Sequence, residues 1–225
     1  MSSTTKPEYN IYSKKPKQLV ICLHGSGDTG EGFRKWIKHV IGDEFEETFN
    51  KQGIKVVFPS AIPKPYSMNN KKISSVWFDR IGIGPEYPED TAGIDASISL
   101  IEKYFDGFDE VAIIGLSQGG CLALHAALTR RKNYPVIKSV VSLSAFLSNH
   151  TKLVERLNLP FSCYESIPTP PSILMCHGTS DKLVNYKWGK NVNKFLNNKG
   201  LNCEWFEITN LGHTINKNEI RKVSN

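Results

Sequence analysis

Gly115-Leu116-Ser117-Gln118-Gly119 is the segment of this chain best equipped for chemistry. It follows the apolar run VAIIG (111–115) and opens the Ala/Leu-rich stretch 118–129. A serine at a sharp strand-to-helix turn projects its hydroxyl from a strained backbone. Flanking glycines remove the β-carbons that would strike the adjoining strand and helix. The helix N-terminus then aims amides and the positive end of its dipole at a reacting oxygen. A serine nucleophile needs a general base, and the base needs an orienting carboxylate. On a turn of this kind the partners follow in the order Ser, then Asp or Glu, then His. Asp181 stands in the turn HGTSDKLV, directly after the apolar run SILMC (172–176). Of the six histidines, His24, His39, His125, His150, His177 and His213, only His213 follows Asp181. Glu204 and Glu207 also follow Ser117, but they fall inside the strand-like run CEWFEI (203–208). Asp181 and His213 are therefore the expected partners of Ser117, each just beyond a strand.

The loop His24-Gly25-Ser26-Gly27 follows the apolar run LVICL (19–23). A glycine-rich loop there can turn a backbone N–H toward a carbonyl oxygen under attack, and the amide of Gln118, next to the nucleophile, supplies a second donor. The order argument leaves His24 as a structural side chain.

The elements that must hold these residues alternate along the chain. LVICL, KVVF (55–58), VAIIG, SVVSL (139–143), SILMC and CEWFEI are continuous apolar runs, the pattern of parallel strands covered on both faces. Between them, 32–45 carries Phe33, Trp36, Ile37, Val40 and Ile41 on one stripe. Residues 91–105 space Ile94, Ile98, Ile101 and Phe105 by three and four, and 185–198 carry Trp188, Val192 and Phe195. Repeated strand–helix alternation predicts an α/β fold with right-handed crossovers. The proline-rich stretch 59–65 and the stretch 158–171 read as loop excursions, since apolar strands resume after each. One domain over 1–225 is expected, with 1–17 a flexible N-terminal segment.

The chain has 225 residues, 40% of them apolar and 22% charged, which excludes a disordered, collagen-like or disulfide-framework protein. The net charge of +6 is spread over short basic clusters without interleaved aromatics, so nucleic acid is not an expected partner. A solvated surface is the first reading of that charge, and weak attraction to an anionic membrane surface is the better of the two sharper readings, ahead of nucleic acid. Five cysteines, an odd number with no C-x-x-C pair, point to a reducing compartment, and the cytoplasm is expected. No apolar signal segment opens the chain. Residues 111–129 are long and uncharged enough to span a membrane, but the turn chemistry of Ser117 to Gly120 makes them strand, turn and helix.

Taken in order, LHGSGDTGEGF (23–33), VWFDR (76–80), GLSQGG (115–120), CHGTSDKLV (176–184) and LGH (211–213) resemble the acyl-protein thioesterase / lysophospholipase family of serine hydrolases. SGDTGEGFRKWIK (26–38), SSVWFDR (74–80) and GGCLALH (119–125) are most similar to its lysophospholipase-like branch. The resemblance runs from about residue 19 to 220 and implies an α/β-hydrolase fold with a mostly parallel sheet and helices on both faces. It implies a triad of Ser117, Asp181 and His213, oxyanion amides at Ser26 and Gln118, and no metal or cofactor. The implied substrates are S-acylated proteins, which makes depalmitoylation the first reading; lysophospholipids or short-chain esters are the alternative. A catalytically inactive binder is the remaining reading, disfavoured by three intact triad members. The same resemblance puts Trp77, Phe146, Leu147 and Leu183 near the acyl pocket and allows a weak homodimer. The chain departs from the pattern in three places. Ser26 stands where the thioesterases proper usually have Leu, the stretch between LSAFL (143–147) and SILMC is longer, and the last helix is expected to be short, with Ile220 and Val223 its apolar residues.

Overall fold

In the computed structural model, which describes residues 17–129, 135–158 and 170–224, each apolar run becomes a strand. The strands are β1 (Gln18–Leu23), β2 (Lys55–Val57), β3 (Pro63–Tyr66), β4 (Lys72–Ser75), β5 (Glu110–Leu116), β6 (Val136–Leu143), β7 (Ser172–Gly178) and β8 (Cys203–Ile208). The helices are α1 (Gly30–Ile41), α2 (Glu44–Lys51), α3 (Thr91–Glu102), α4 (Gln118–Leu128), α5 (Lys152–Asn158), α6 (Tyr186–Asn198) and α7 (Lys217–Ser224). Six strands pair in the order β2-β1-β5-β6-β7-β8, every neighbouring pair parallel.

Alternate side chains of each strand go to opposite faces, and both faces are apolar. Leu19, Ile21 and Leu23 of β1 pack with Ile94, Ile98 and Ile101 of α3 and with Leu122 of α4. Val20 and Cys22 pack on the other face with Phe33 and Ile37 of α1, Phe45 and Phe49 of α2, and Ile220 of α7. That two-sided burial explains why the strands lack a period-2 pattern. Parallel strands send all their C-terminal ends to one edge, where ligands of such sheets bind.

Two elements differ from expectation. The stripe read as one helix over 32–45 is broken: Thr29 caps the start by accepting from the Gly32 amide, and Gly42, at φ 72°, ends α1 before α2 begins. The stretch 59–65 is not wholly loop, since Pro63–Tyr66 pairs antiparallel with Lys72–Ser75 in a separate hairpin. A two-stranded ribbon tolerates prolines that a central strand could not. The Gly27 amide donates to the Ser75 carbonyl at 2.8 Å, which fastens this hairpin to the loop after β1.

Candidate active site

Ser117 lies between β5 and α4 at φ 53° and ψ −115°, a conformation side-chain-bearing residues rarely adopt. The turn closes because its neighbours are bare. A β-carbon on Gly115 would sit 2.2 Å from the Gly119 carbonyl oxygen, and one on Gly119 would sit 2.4 Å from that of Leu23. The Ser117 amide donates to the Leu143 carbonyl at 2.8 Å, and its own carbonyl accepts from Cys121 at 3.0 Å. Strand β6 and helix α4 thus hold the residue from both sides.

Asp181 follows β7 and its carboxylate is fully buried. Oδ1 accepts from the amides of Leu183 at 2.9 Å and Val184 at 2.8 Å. Oδ2 lies 2.7 Å from His213 Nδ1 and 3.2 Å from His177 Nε2. Burial by itself would raise the Asp181 pKa. The hydrogen bonds from His177, His213 and Val184, with the His213 charge, outweigh it and hold the carboxyl well below the usual range. An ionised carboxylate only accepts, so His213 Nδ1 carries a hydrogen and Nε2 is the acceptor of the neutral ring. His213 follows β8 and lines one cleft of about 450 Å³ together with Ser117 and Ser26.

Gln118 contributes in a way its position did not suggest. Its side chain is buried, accepting from the Trp77 amide at 2.8 Å and donating to the Phe78 carbonyl at 2.8 Å. The side chain therefore pins segment 76–78 against the Ser117 turn. The backbone amide is the first of α4, where no acceptor exists within the helix. His24 is structural, as expected. Its Nε2 accepts from the Ala61 amide at 3.0 Å, so Nδ1 carries the hydrogen and donates to the Gly25 carbonyl at 2.7 Å. Burial is the main cause of its lowered pKa.

Of the four expected pocket residues, Leu183 lines the cleft. Trp77, Phe146 and Leu147 are not among its described walls. Trp77 is core, with its indole N–H donating to the His24 carbonyl at 2.9 Å. Phe146 is buried against Trp188, their ring centroids 5.3 Å apart. Leu147 lines a separate cavity with Trp188 and Phe195. Large aromatics are buried whether they wall a pocket or fill a core, so their type could not separate the two. The walls that sequence reasoning missed come from the hairpin, with Tyr66, Met68 and Asn69, and from Arg80. His177 was missed as well. Its Nε2 is 3.0 Å from the Val184 carbonyl and braces Asp181 from the side opposite to the order rule, four residues before the acid.

One buried cluster resembles a metal site. Ligand-type atoms of Glu89, Cys121 and His125 lie within 4.8 Å of one another. A cation does not suit it, because the Arg80 guanidinium already faces Glu89 at 3.4 Å. Burial and the Glu89 charge also push the Cys121 thiol well above its ordinary pKa, so it would not ionise to bind one.

Residues 7–225 match the phospholipase/carboxylesterase family. The chain is 34% identical over 211 residues to lysophospholipase-like protein 1 of Mus musculus, covering 91% of this chain and 83% of that protein. It is 29% identical over 213 residues to acyl-protein thioesterase 1 homolog 2 of Dictyostelium discoideum, covering 91% and 88%. Its fold superposes on the crystal structure of Arabidopsis thaliana SOBER1 with a TM-score of 0.70 at 25% identity, over 92% of this chain and 95% of that one. With Zea mays acyl-protein thioesterase 2 the TM-score is 0.74 at 24% identity, over 94% and 93%. A glycine-flanked serine turn, a buried carboxylate and a histidine at the C-terminal sheet edge agree with these likenesses: the chain belongs to the phospholipase/carboxylesterase family, serine hydrolases built on the α/β-hydrolase fold.

Proposed function

We propose that this protein hydrolyses acyl thioesters and carboxylic esters through Ser117, His213 and Asp181, with S-acylated proteins as its first substrate class. Ser117 Oγ attacks the acyl carbonyl while His213 Nε2 takes its proton. The amides of Ser26 and Gln118 stabilise the oxyanion. His213 then protonates the departing thiolate or alkoxide, and water, activated by the same nitrogen, releases the acid. The observation that carries this reading is the 2.7 Å contact of His213 Nδ1 with Asp181 in the cleft that Ser117 lines. It fixes the tautomer a base needs. None of the described helices is long and apolar enough to cross a membrane. An acylated substrate would have to be met at the membrane surface, to which the net charge of +6 adds attraction.

A second reading, short esters or lysolipids, is favoured by the cleft wall. Arg80 stands in that wall among Trp36, Tyr66, Met68 and Ile83, and the expected Trp77 and Phe146 are not among the described lining residues. Hydrolysis of p-nitrophenyl esters and acyl thioesters of rising chain length, with an S-palmitoyl peptide alongside, separates the two. Rising kcat/KM up to palmitoyl with cleavage of the S-palmitoyl peptide supports depalmitoylation, an optimum at two to four carbons supports short esters, and long-chain oxygen-ester cleavage that spares the peptide supports lysolipids.

A further inference from the structure

Arg80 is a buried cation in the wall of the catalytic cleft, and the hydrolytic steps above do not use it. Its side chain is 7% exposed. Its guanidinium carbon lies 4.9 Å from the Phe78 ring centroid and 4.6 Å from that of Phe146, so two aromatic rings hold its plane. The charge is met by Glu89, whose Oε1 is 3.4 Å from Nη2. Glu89 is already well served. Oε1 accepts from Cys121 Sγ at 3.2 Å, and Oε2 is 3.0 Å from His125 Nε2. Burial would raise the Glu89 pKa, but His125 and Arg80 hold it below its ordinary value, so it stays ionised.

A guanidinium offers five N–H donors in one plane. A contact of 3.4 Å with Glu89 and a hydrogen bond with Cys121 leave part of that capacity open. None of its nitrogens is among the buried atoms that lack a partner, so the remaining donors open toward the cleft, where an anion can meet them. The other fixed charge among the described cleft walls, the Asp28 carboxylate, is turned to the first turn of α1, where it accepts from the Thr29 amide at 2.7 Å. Arg80 is thus positioned to receive an anion in the cleft that Ser117 also lines.

We propose that Arg80 is a specificity-determining residue that selects esters and thioesters carrying a carboxylate or phosphate within reach of the cleft wall, the anion taking the guanidinium donors that Glu89 leaves over. This rests on the hydrolase reading above and is independent of acyl length. A carboxylate would come from the acyl side, as in a half-ester of a short dicarboxylic acid. A phosphate would come from the alcohol side, as in a lysophosphatidate.

The test compares matched substrates in the purified protein. One arm sets p-nitrophenyl hemisuccinate against p-nitrophenyl butyrate, and the other sets a lysophosphatidate against the monoacylglycerol with the same chain. A charge-assisted hydrogen bond predicts an anionic preference of about tenfold to a hundredfold in kcat/KM, mainly through KM, in one arm. That arm identifies the source of the anion. In Arg80→Gln the ratio should fall toward one, and in Arg80→Lys part of it should remain. If Arg80→Gln fails to fold, inhibition of the unmutated protein by succinate against succinamide gives the same comparison, with succinate expected to be the stronger inhibitor. Cleavage of the neutral ester with no anionic preference in either arm would overturn the proposal and leave the hydrolase reading standing, as would a preference that survives in Arg80→Gln. If no ester is cleaved and Ser117 is not labelled by a fluorophosphonate, the hydrolase reading fails and this inference falls with it.

Discussion

Glu219 gives the stability of this protein a pH dependence whose sign and size follow from its surroundings. The carboxyl lies in the first turn of α7 and is fully buried. Its Oε1 has no hydrogen-bond partner among the described residues, and Oε2 faces the Asn216 amide only at 3.4 Å. Asn216 Oδ1 in return accepts from the Glu219 amide at 2.9 Å, a reciprocal capping arrangement. Burial pushes the pKa from its ordinary 4.5 up to about 7, against the lowering effect of the Asn216 amide. The folded protein therefore keeps this proton in a range where the unfolded chain has lost it. The stabilising contribution is fully present below pH 4.5 and is lost as pH rises through 7. A gap of that size corresponds to about 3 kcal/mol as an upper estimate. Glutamine can replace glutamate in the capping arrangement and carries no charge. Urea unfolding at pH 5 and pH 8 should therefore show Glu219→Gln gaining up to about 3 kcal/mol over the parent on going to pH 8, with unchanged m-values. Parallel pH dependences for the two proteins would refute the reasoning.

Other outcomes follow from the site. Asp181→Asn should lower kcat by about 10⁴, because an amide facing Nδ1 imposes the wrong His213 tautomer; steady-state ester hydrolysis reads it, and a loss below tenfold would contradict the pairing. Gly119→Ala should cost about 3 kcal/mol in urea denaturation and reduce activity as well, since its β-carbon would meet the Leu23 and His24 carbonyls at 2.4 and 2.7 Å. Backbone atoms cannot step aside as a flexible side chain can, so a neutral substitution there would contradict the packing of the turn.

The central strands and the residues of the candidate site were legible because each obeys a rule that leaves few choices. LVICL, VAIIG and SILMC are too short for helices and too apolar for a one-sided sheet. Gly115 and Gly119 flank Ser117 at a strand end, and chain order leaves His213 as the only histidine after Asp181. The hairpin was hidden because Pro63 and Pro65 argue against a strand and β4 has one apolar residue, Ile73. Helix α2 was hidden because Phe45 continues the stripe of α1 across Gly42, so the break and the second helix merged into one pattern. The pair of Arg80 and Glu89 lies on the long segment between β4 and α3, where no periodicity tells which charges turn inward. His177 braces Asp181 through a contact that only the folded β7 turn creates.

The central claim is that Ser117 is the nucleophile, with His213 as its base. Labelling with a fluorophosphonate, followed by peptide mapping, tests it most directly. The reagent needs an activated serine and reports the modified residue without any assumption about substrate. The account predicts one modified residue, Ser117, with labelling lost in Ser117→Ala and strongly slowed in His213→Ala while both variants keep the parent's circular dichroism. Modification of a different serine, or labelling of Ser117 at an undiminished rate in His213→Ala, would contradict it.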